Sequence, residues 1–132
     1  MKVYIADKSS LMRQYLIKMF ASHVDLKDKD IKVIGETGDV SKAIRAIQQL
    51  NPDVVILDTS MSRGSSNALL EYIKKANKYS PVIIMLTNYS LPQYQKRYME
   101  LGADYFFDKS LEIQKMAEVL KKLSNNGVTI SI

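Results

Sequence analysis

The 132-residue chain is 46% hydrophobic and carries a formal net charge of +5, with no cysteine and one histidine. These numbers suit one globular domain, and they exclude a disulfide framework, a cysteine zinc site and a multi-histidine metal site. No apolar stretch approaches the ~20 residues that cross a bilayer, and no signal-peptide pattern precedes the first strand, so we expect a cytoplasmic protein without a membrane partner.

Short apolar runs and amphipathic stretches alternate along the chain as far as about residue 124. The apolar runs predict five strands, at residues 2–6, 31–36, 54–58, 82–86 and about 105–107. The stretches after them have helical spacing and predict five helices, covering residues 11–20, 40–50, 67–77, 92–101 and 113–123. Strands that alternate with helices favour an α/β fold with right-handed crossovers and a parallel sheet.

Local signals mark the ends of these helices. The predicted N-caps of helices one, two and five are Ser9 or Ser10, Asp39 or Ser41, and Ser110. Helix two is predicted to end at Asn51-Pro52, because proline disfavours helical backbone in the residue before it. Gly102 is a natural terminator for helix four.

Polar side chains stand at the ends of four of the predicted strands. Asp7 follows strand one, Asp58 ends strand three, Thr87 follows strand four and Lys109 follows strand five. In open parallel sheets the reactive groups lie at the carboxyl ends of the strands. Two acids, a hydroxyl and an ammonium at one edge of a sheet would suit a transferable phosphoryl group.

The order and spacing of these residues resemble the receiver domain of bacterial response regulators, over about residues 2–124. The residues that carry the resemblance are Asp7, Asp58 with Met61 three residues on, Thr87, and Gly102-Ala103-Asp104 leading to Lys109. The resemblance implies a flavodoxin-like receiver fold: a five-stranded parallel sheet in the order 2-1-3-4-5, flanked by five helices. It favours the stand-alone type, with residues 1–124 as the domain. Residues 125–132 would be a C-terminal tail, in which Val128, Ile130 and Ile132 alternate like a short extra strand.

The resemblance also implies a function, in which Asp58 accepts a phosphoryl group from a sensor histidine kinase or a phosphotransfer protein. Lys109 would pair with a phosphoryl oxygen, and the Thr87 hydroxyl would donate to another. Phe106 stands where receivers carry an aromatic residue that moves when the threonine moves. The face formed by helix four, strand five and helix five would then contact a downstream protein or a second copy of the chain. Such a protein assists its own phosphorylation and is not a conventional enzyme.

The acidic pair after strand one departs from the family pattern. Receivers usually carry two adjacent acids there for Mg²⁺, whereas this chain has Asp7-Lys8. The remaining ligands would be Asp58, the Ser60 backbone carbonyl and Asp7 through water. A lysine in place of a carboxylate predicts weak Mg²⁺ binding, whether Lys8 bridges to an acid or turns to solvent. It leaves open an alternative function, a pseudo-receiver that binds partners or dimerises without phosphorylation.

Three other functions fit the sequence less well. The lysines are dispersed without interleaved aromatics, so we expect a solvated surface and no nucleic-acid partner. Haloacid-dehalogenase-like phosphatases need a second aspartate two residues after the first, where this chain has Ser60. Flavodoxins need a phosphate loop after strand one, and residues 7–10 lack the glycine that lets a loop wrap phosphate.

Overall fold

The structure is a computed structural model and describes residues 1–61, 64–75, 80–88 and 91–125. Its strands are β1 (Lys2–Ala6), β2 (Lys32–Thr37), β3 (Val54–Asp58), β4 (Val82–Thr87) and β5 (Tyr105–Asp108). Its helices are α1 (Ser10–Ser22), α2 (Val40–Leu50), α3 (Ser66–Lys75), α4 (Pro92–Glu100) and α5 (Ile113–Asn125). The strands form one parallel sheet in the order β2-β1-β3-β4-β5, which confirms the predicted fold.

Strand β3 lies at the centre of the sheet, and all of its residues are buried. Ile56 pairs with Ile5 of β1 on one side and with Ile84 of β4 on the other. A strand between two parallel neighbours, with helices on both faces, has no solvent side, which explains its unbroken apolar run. The same parallel arrangement brings the ends of β1, β3, β4 and β5 to one edge.

Two apolar cores cover the two faces of the sheet. Side chains of α2, α3 and α4 pack on one face, where the core includes Ile47, Leu70, Tyr98 and Phe106. Side chains of α1 and α5 pack on the other face, with Leu16, Phe20, Phe107 and Leu120. Neighbouring residues of a strand point to opposite faces, so Phe106 and Phe107 belong to different cores.

The predicted caps are confirmed for two helices and wrong for a third. Ser9 caps α1 by accepting from the Met12 backbone N–H, and Asp39 caps α2 in the same way. Ser110 does not cap α5, because that helix begins at Ile113. The preceding residues are instead held in a turn by the carboxylate of Asp108, which accepts from the N–H of Ser110 and of Leu111.

Helix α5 continues through Asn125, so the predicted domain end at residue 124 falls within its last turn. The predicted tail strand lies in residues 126–132, outside the described residues, and stays a prediction. Among the described residues, no helix is long and apolar enough to span a bilayer.

Candidate functional site

A cleft of about 400 Å³ opens at the carboxyl edge of the sheet. It is lined by residues from the loops after β1, β3, β4 and β5: Lys8, Ser9, Asp58, Thr59, Ser60, Asn88 and Lys109. Topology alone brings these distant parts of the chain together, since parallel strands end at the same edge. The cleft therefore occupies the position that the sequence pattern predicts for reactive groups.

One ammonium group lies between two buried carboxylates at the base of this cleft. Lys109 Nζ is 2.8 Å from Asp7 Oδ2 and 3.1 Å from Asp58 Oδ1. All three side chains are less than a tenth exposed. The contact with Asp7 is a close ion pair, but Asp7 Oδ2 receives no well-directed hydrogen bond from any described residue. The three groups together carry one net negative charge.

Backbone contacts hold the loop that carries Asp7. The Asp7 N–H donates to the Thr37 carbonyl of β2 over 2.9 Å, and Asp7 Oδ1 accepts from the Ser9 N–H over 2.8 Å. From α1, the Arg13 guanidinium donates to the Asp7 carbonyl over 2.6 Å and pairs with Glu36 of β2. Arg13 therefore ties this loop to the neighbouring strand.

Asp58 and Lys109 are held in the same way, by the elements around them. The Ser66 hydroxyl, at the start of α3, donates to the Asp58 carbonyl. The Lys109 N–H donates to the Thr87 carbonyl over 2.8 Å, which extends the pairing of β4 and β5 by one residue. The Asp108 turn then leads the chain away, so Lys109 is fixed at the edge of the sheet.

The electrostatics of the site disfavour the charged form of Asp58. Burial raises the pKa of the Asp58 carboxyl, the nearby Asp7 carboxylate raises it further, and the Lys109 ammonium only partly offsets both. A raised pKa in the folded state means that the ionised carboxylate costs stability above that pKa. The cost disappears as the pH falls below the pKa of the unfolded chain.

We expect Asp58→Asn to raise the free energy of unfolding at pH 7, by an amount on the order of 1 kcal/mol. The substitution removes a buried charge that the fold disfavours and leaves Lys109 paired with Asp7. Urea unfolding followed by circular dichroism between pH 3 and pH 7 measures the effect, and the gain should shrink toward the acidic end. Asp28→Asn, at an exposed turn, is the matched control. A loss of stability at pH 7 would contradict this description of the site.

The Thr87 hydroxyl lies beside a second, smaller cavity. This space of about 130 Å³ is lined by Thr59, Ser60, Thr87, Tyr94 and Tyr98. Thr87 is fully buried, and its Oγ1 is 2.9 Å from the Oγ1 of Thr59. Thr87 is not among the residues that line the Asp58 cleft.

Phe106 is buried behind α4. The residue is 8% exposed, and its ring stacks on the Tyr98 ring, with the centroids 6.2 Å apart. The Asn67 amide is oriented so that its nitrogen donates to the Tyr98 hydroxyl over 3.0 Å and its oxygen accepts from Arg97. Tyr98 rather than Phe106 therefore faces the cavity next to Thr87.

Lys8 is exposed at the rim of the cleft, and none of its described contacts is an ion pair with an acid. Asp58 and Ser60 line the cleft, and Asp7 contacts the same ammonium as Asp58. Oxygen donors suit Mg²⁺, and the buried Asp7 Oδ2 has acceptor capacity to spare. Within the described residues, however, no cluster of three or more acids, histidines or cysteines would hold a metal.

Three residues of the site were not predicted from the sequence. Thr59 bonds the Thr87 hydroxyl, Arg13 anchors the Asp7 loop, and Asp108 shapes the turn after β5. Of these, only Asp108 could have been predicted from the sequence, because an aspartate carboxylate often accepts from the backbone N–H two residues ahead. The other two depend on which side chains the fold brings together.

The fold and the cleft define a doubly wound α/β domain with an acidic, lysine-bridged site at its carboxyl edge. A family model of the response regulator receiver domain matches residues 3–121. The chain therefore belongs to the response regulator receiver family, which serves two-component signalling.

Individual relatives agree with this assignment. An uncharacterized transcriptional regulatory protein of Bacillus subtilis, YvfU, is 32% identical over 92% of this chain and 58% of its own length. The protein-glutamate methylesterase/protein-glutamine glutaminase 1 of Methanospirillum hungatei is 29% identical over 98% of this chain and 38% of its own. The chain thus spans about half the length of the curated relatives it matches, or less.

Solved structures show the same fold. A DNA-binding response regulator of the LuxR family from Staphylococcus aureus is 25% identical, with a TM-score of 0.76 over 94% of this chain and 98% of that one. The response regulator domain of CheB from Thermotoga maritima is 24% identical, with a TM-score of 0.76 over 100% of this chain and 98% of that one.

Proposed function

We propose that Asp58 accepts a phosphoryl group from a phosphohistidine on a sensor histidine kinase or phosphotransfer protein. The observation that carries this proposal is the Asp7–Lys109–Asp58 arrangement at the base of an open cleft in a receiver fold. Asp58 lines the cleft, whereas Asp7 does not, so Asp58 is the carboxylate within reach of an incoming group.

The transfer exchanges one bond to phosphorus for another. A carboxylate oxygen of Asp58 attacks the phosphorus, the phosphorus–nitrogen bond breaks, and the imidazole leaves with the electron pair of that bond. The product is an acyl phosphate on Asp58. Positioning and charge neutralisation provide most of the rate in such reactions. The Lys109 ammonium is 3.1 Å from Asp58 and would pair with an oxygen of the arriving phosphoryl group.

We propose that Mg²⁺ binds this site weakly. Asp58, the Ser60 carbonyl and, through water, Asp7 would hold the ion, which when bound would neutralise charge on the phosphoryl oxygens. Two ammonium groups weaken the binding of the ion. Lys109 is already ion-paired with both carboxylates, and Lys8 lies at the rim of the cleft.

We propose that the output surface includes helix α4. Three large apolar side chains in or next to this helix are exposed by 40% or more: Leu91, Tyr94 and Met99. Tyr98 lies one turn after Tyr94 on the same side of the helix and stacks on Phe106, and both tyrosines line the cavity of Thr87. A movement of Thr87 would therefore reach α4 through Tyr98 and Phe106. A change there would alter the affinity of a downstream protein, or of a second copy of the chain, for the face of α4, β5 and α5.

Intact-mass spectrometry after incubation with acetyl phosphate tests the proposed acceptor. We expect the wild type to gain one phosphoryl group and Asp58→Asn to gain none. Parallel samples with and without Mg²⁺ show whether the ion is needed. A wild type that gains nothing in either sample would favour the pseudo-receiver, which binds partners without phosphorylation. A gain in Asp58→Asn equal to that of the wild type would place the acceptor elsewhere.

A further inference from the structure

We infer that Thr59 is a positioning residue that holds the Thr87 hydroxyl in its resting orientation, away from Asp58. The inference rests on the proposed function and deepens it, because it names a residue that sets how readily the phosphorylated state forms. Thr59 directly follows the acceptor aspartate in the chain, and it lines both the Asp58 cleft and the smaller cavity beside Thr87.

Two features of the structure support the role of Thr59. The hydroxyl oxygens of Thr59 and Thr87 are 2.9 Å apart, within the range of a good O–H···O hydrogen bond. Thr87 also lines the cavity shared with Tyr94 and Tyr98, and it does not line the Asp58 cleft. In this state Thr87 therefore borders the cavity beside α4, with its hydroxyl against Thr59, and it does not line the Asp58 cleft.

Either hydroxyl can donate in this contact. If Thr87 is to donate to a phosphoryl oxygen on Asp58, its Oγ1 turns toward that group and leaves hydrogen-bond distance of Thr59. Thr59 is partly exposed and finds water in its place, while the buried Thr87 exchanges one partner for another. The Thr59–Thr87 hydrogen bond thus stabilises only the resting state, and it disfavours the turn of the Thr87 hydroxyl toward Asp58.

Thr59→Val removes the hydroxyl at nearly constant shape, and Thr59→Ser keeps it as the matched control. One hydrogen bond changes an equilibrium by roughly fivefold. We expect Thr59→Val to bind beryllofluoride, a phosphoryl mimic, roughly fivefold more tightly than the wild type in excess Mg²⁺. Thr59→Ser should stay near the wild type. Equal affinities for all three proteins would overturn the inference while leaving the proposed function intact.

Nuclear magnetic resonance of the unliganded proteins tests the same contact without any phosphoryl group. Three-bond couplings to the Thr87 methyl group report its side-chain rotamer. We expect one dominant rotamer in the wild type and in Thr59→Ser, and an averaged or different one in Thr59→Val. Unchanged couplings in Thr59→Val would overturn the inference. If the couplings change as expected but the wild type takes neither phosphoryl nor mimic, the role of Thr59 stands and the proposed function fails.

Discussion

Replacing Lys109 by methionine lowers the free energy of unfolding at pH 7 by about 3–5 kcal/mol, the usual cost of leaving a buried charge without its partner. The variant keeps most of the volume of the side chain but removes the ammonium between Asp7 and Asp58. The two buried carboxylates then face each other without a cation. Urea unfolding followed by circular dichroism measures the loss.

Two further variants separate charge from packing. Lys109→Met in an Asp58→Asn background should lose clearly less stability than in the wild type, because one of the two carboxylates is already neutral. Lys109→Arg keeps the positive charge and should lie between the wild type and Lys109→Met. A loss below about 1 kcal/mol for Lys109→Met would mean that the ammonium does not stabilise this pair of acids.

Replacing Lys8 by aspartate raises the affinity for Mg²⁺ by roughly thirtyfold. The change alters the charge at the rim of the cleft by two units, and against a divalent ion each unit is worth about 1 kcal/mol at ~8 Å in water. It also restores the second acid that receivers usually carry after β1. Isothermal titration calorimetry at fixed ionic strength measures the affinity.

The control for this experiment must change the net charge equally. Lys122→Asp does so on the exposed last turn of α5, which runs back to the opposite edge of the sheet. We expect the Mg²⁺ affinity of Lys122→Asp to match that of the wild type. Lys8→Ala should gain about half of the Mg²⁺ binding free energy that Lys8→Asp gains. Equal affinities for the wild type and Lys8→Asp would show that Lys8 does not weaken the metal site.

Much of the fold could be predicted from the sequence because it depends on local patterns of residues. The unbroken apolar run of residues 54–57 predicts a central strand, and β3 is indeed buried on both faces. Asp39 precedes an apolar helical pattern and caps α2 as expected. Since parallel strands end together, the sequence could predict that Asp7, Asp58 and Lys109 lie at the same edge of the sheet.

One prediction was wrong and two contacts were not predicted, and all three depend on how nearby groups meet in space. Ser110 is a good capping residue, but the carboxylate of Asp108 holds Ser110 and Leu111 in a turn, and α5 begins three residues after Ser110. The pairing of Lys109 with both acids depends on side-chain geometry at the sheet edge, and the Thr59–Thr87 contact depends on side-chain orientation across two strands. The order of residues along the chain gives neither the geometry nor the orientation of these side chains.

The central claim is that Asp58 takes a phosphoryl group from a phosphorus–nitrogen bond, as in phosphohistidine. Incubation with phosphoramidate, followed by digestion and tandem mass spectrometry, tests it most directly. We predict one added phosphoryl group on the peptide that contains Asp58, and no added group in Asp58→Asn. A phosphoryl group on any other residue, or none on a folded wild type at any Mg²⁺ concentration, would contradict the claim.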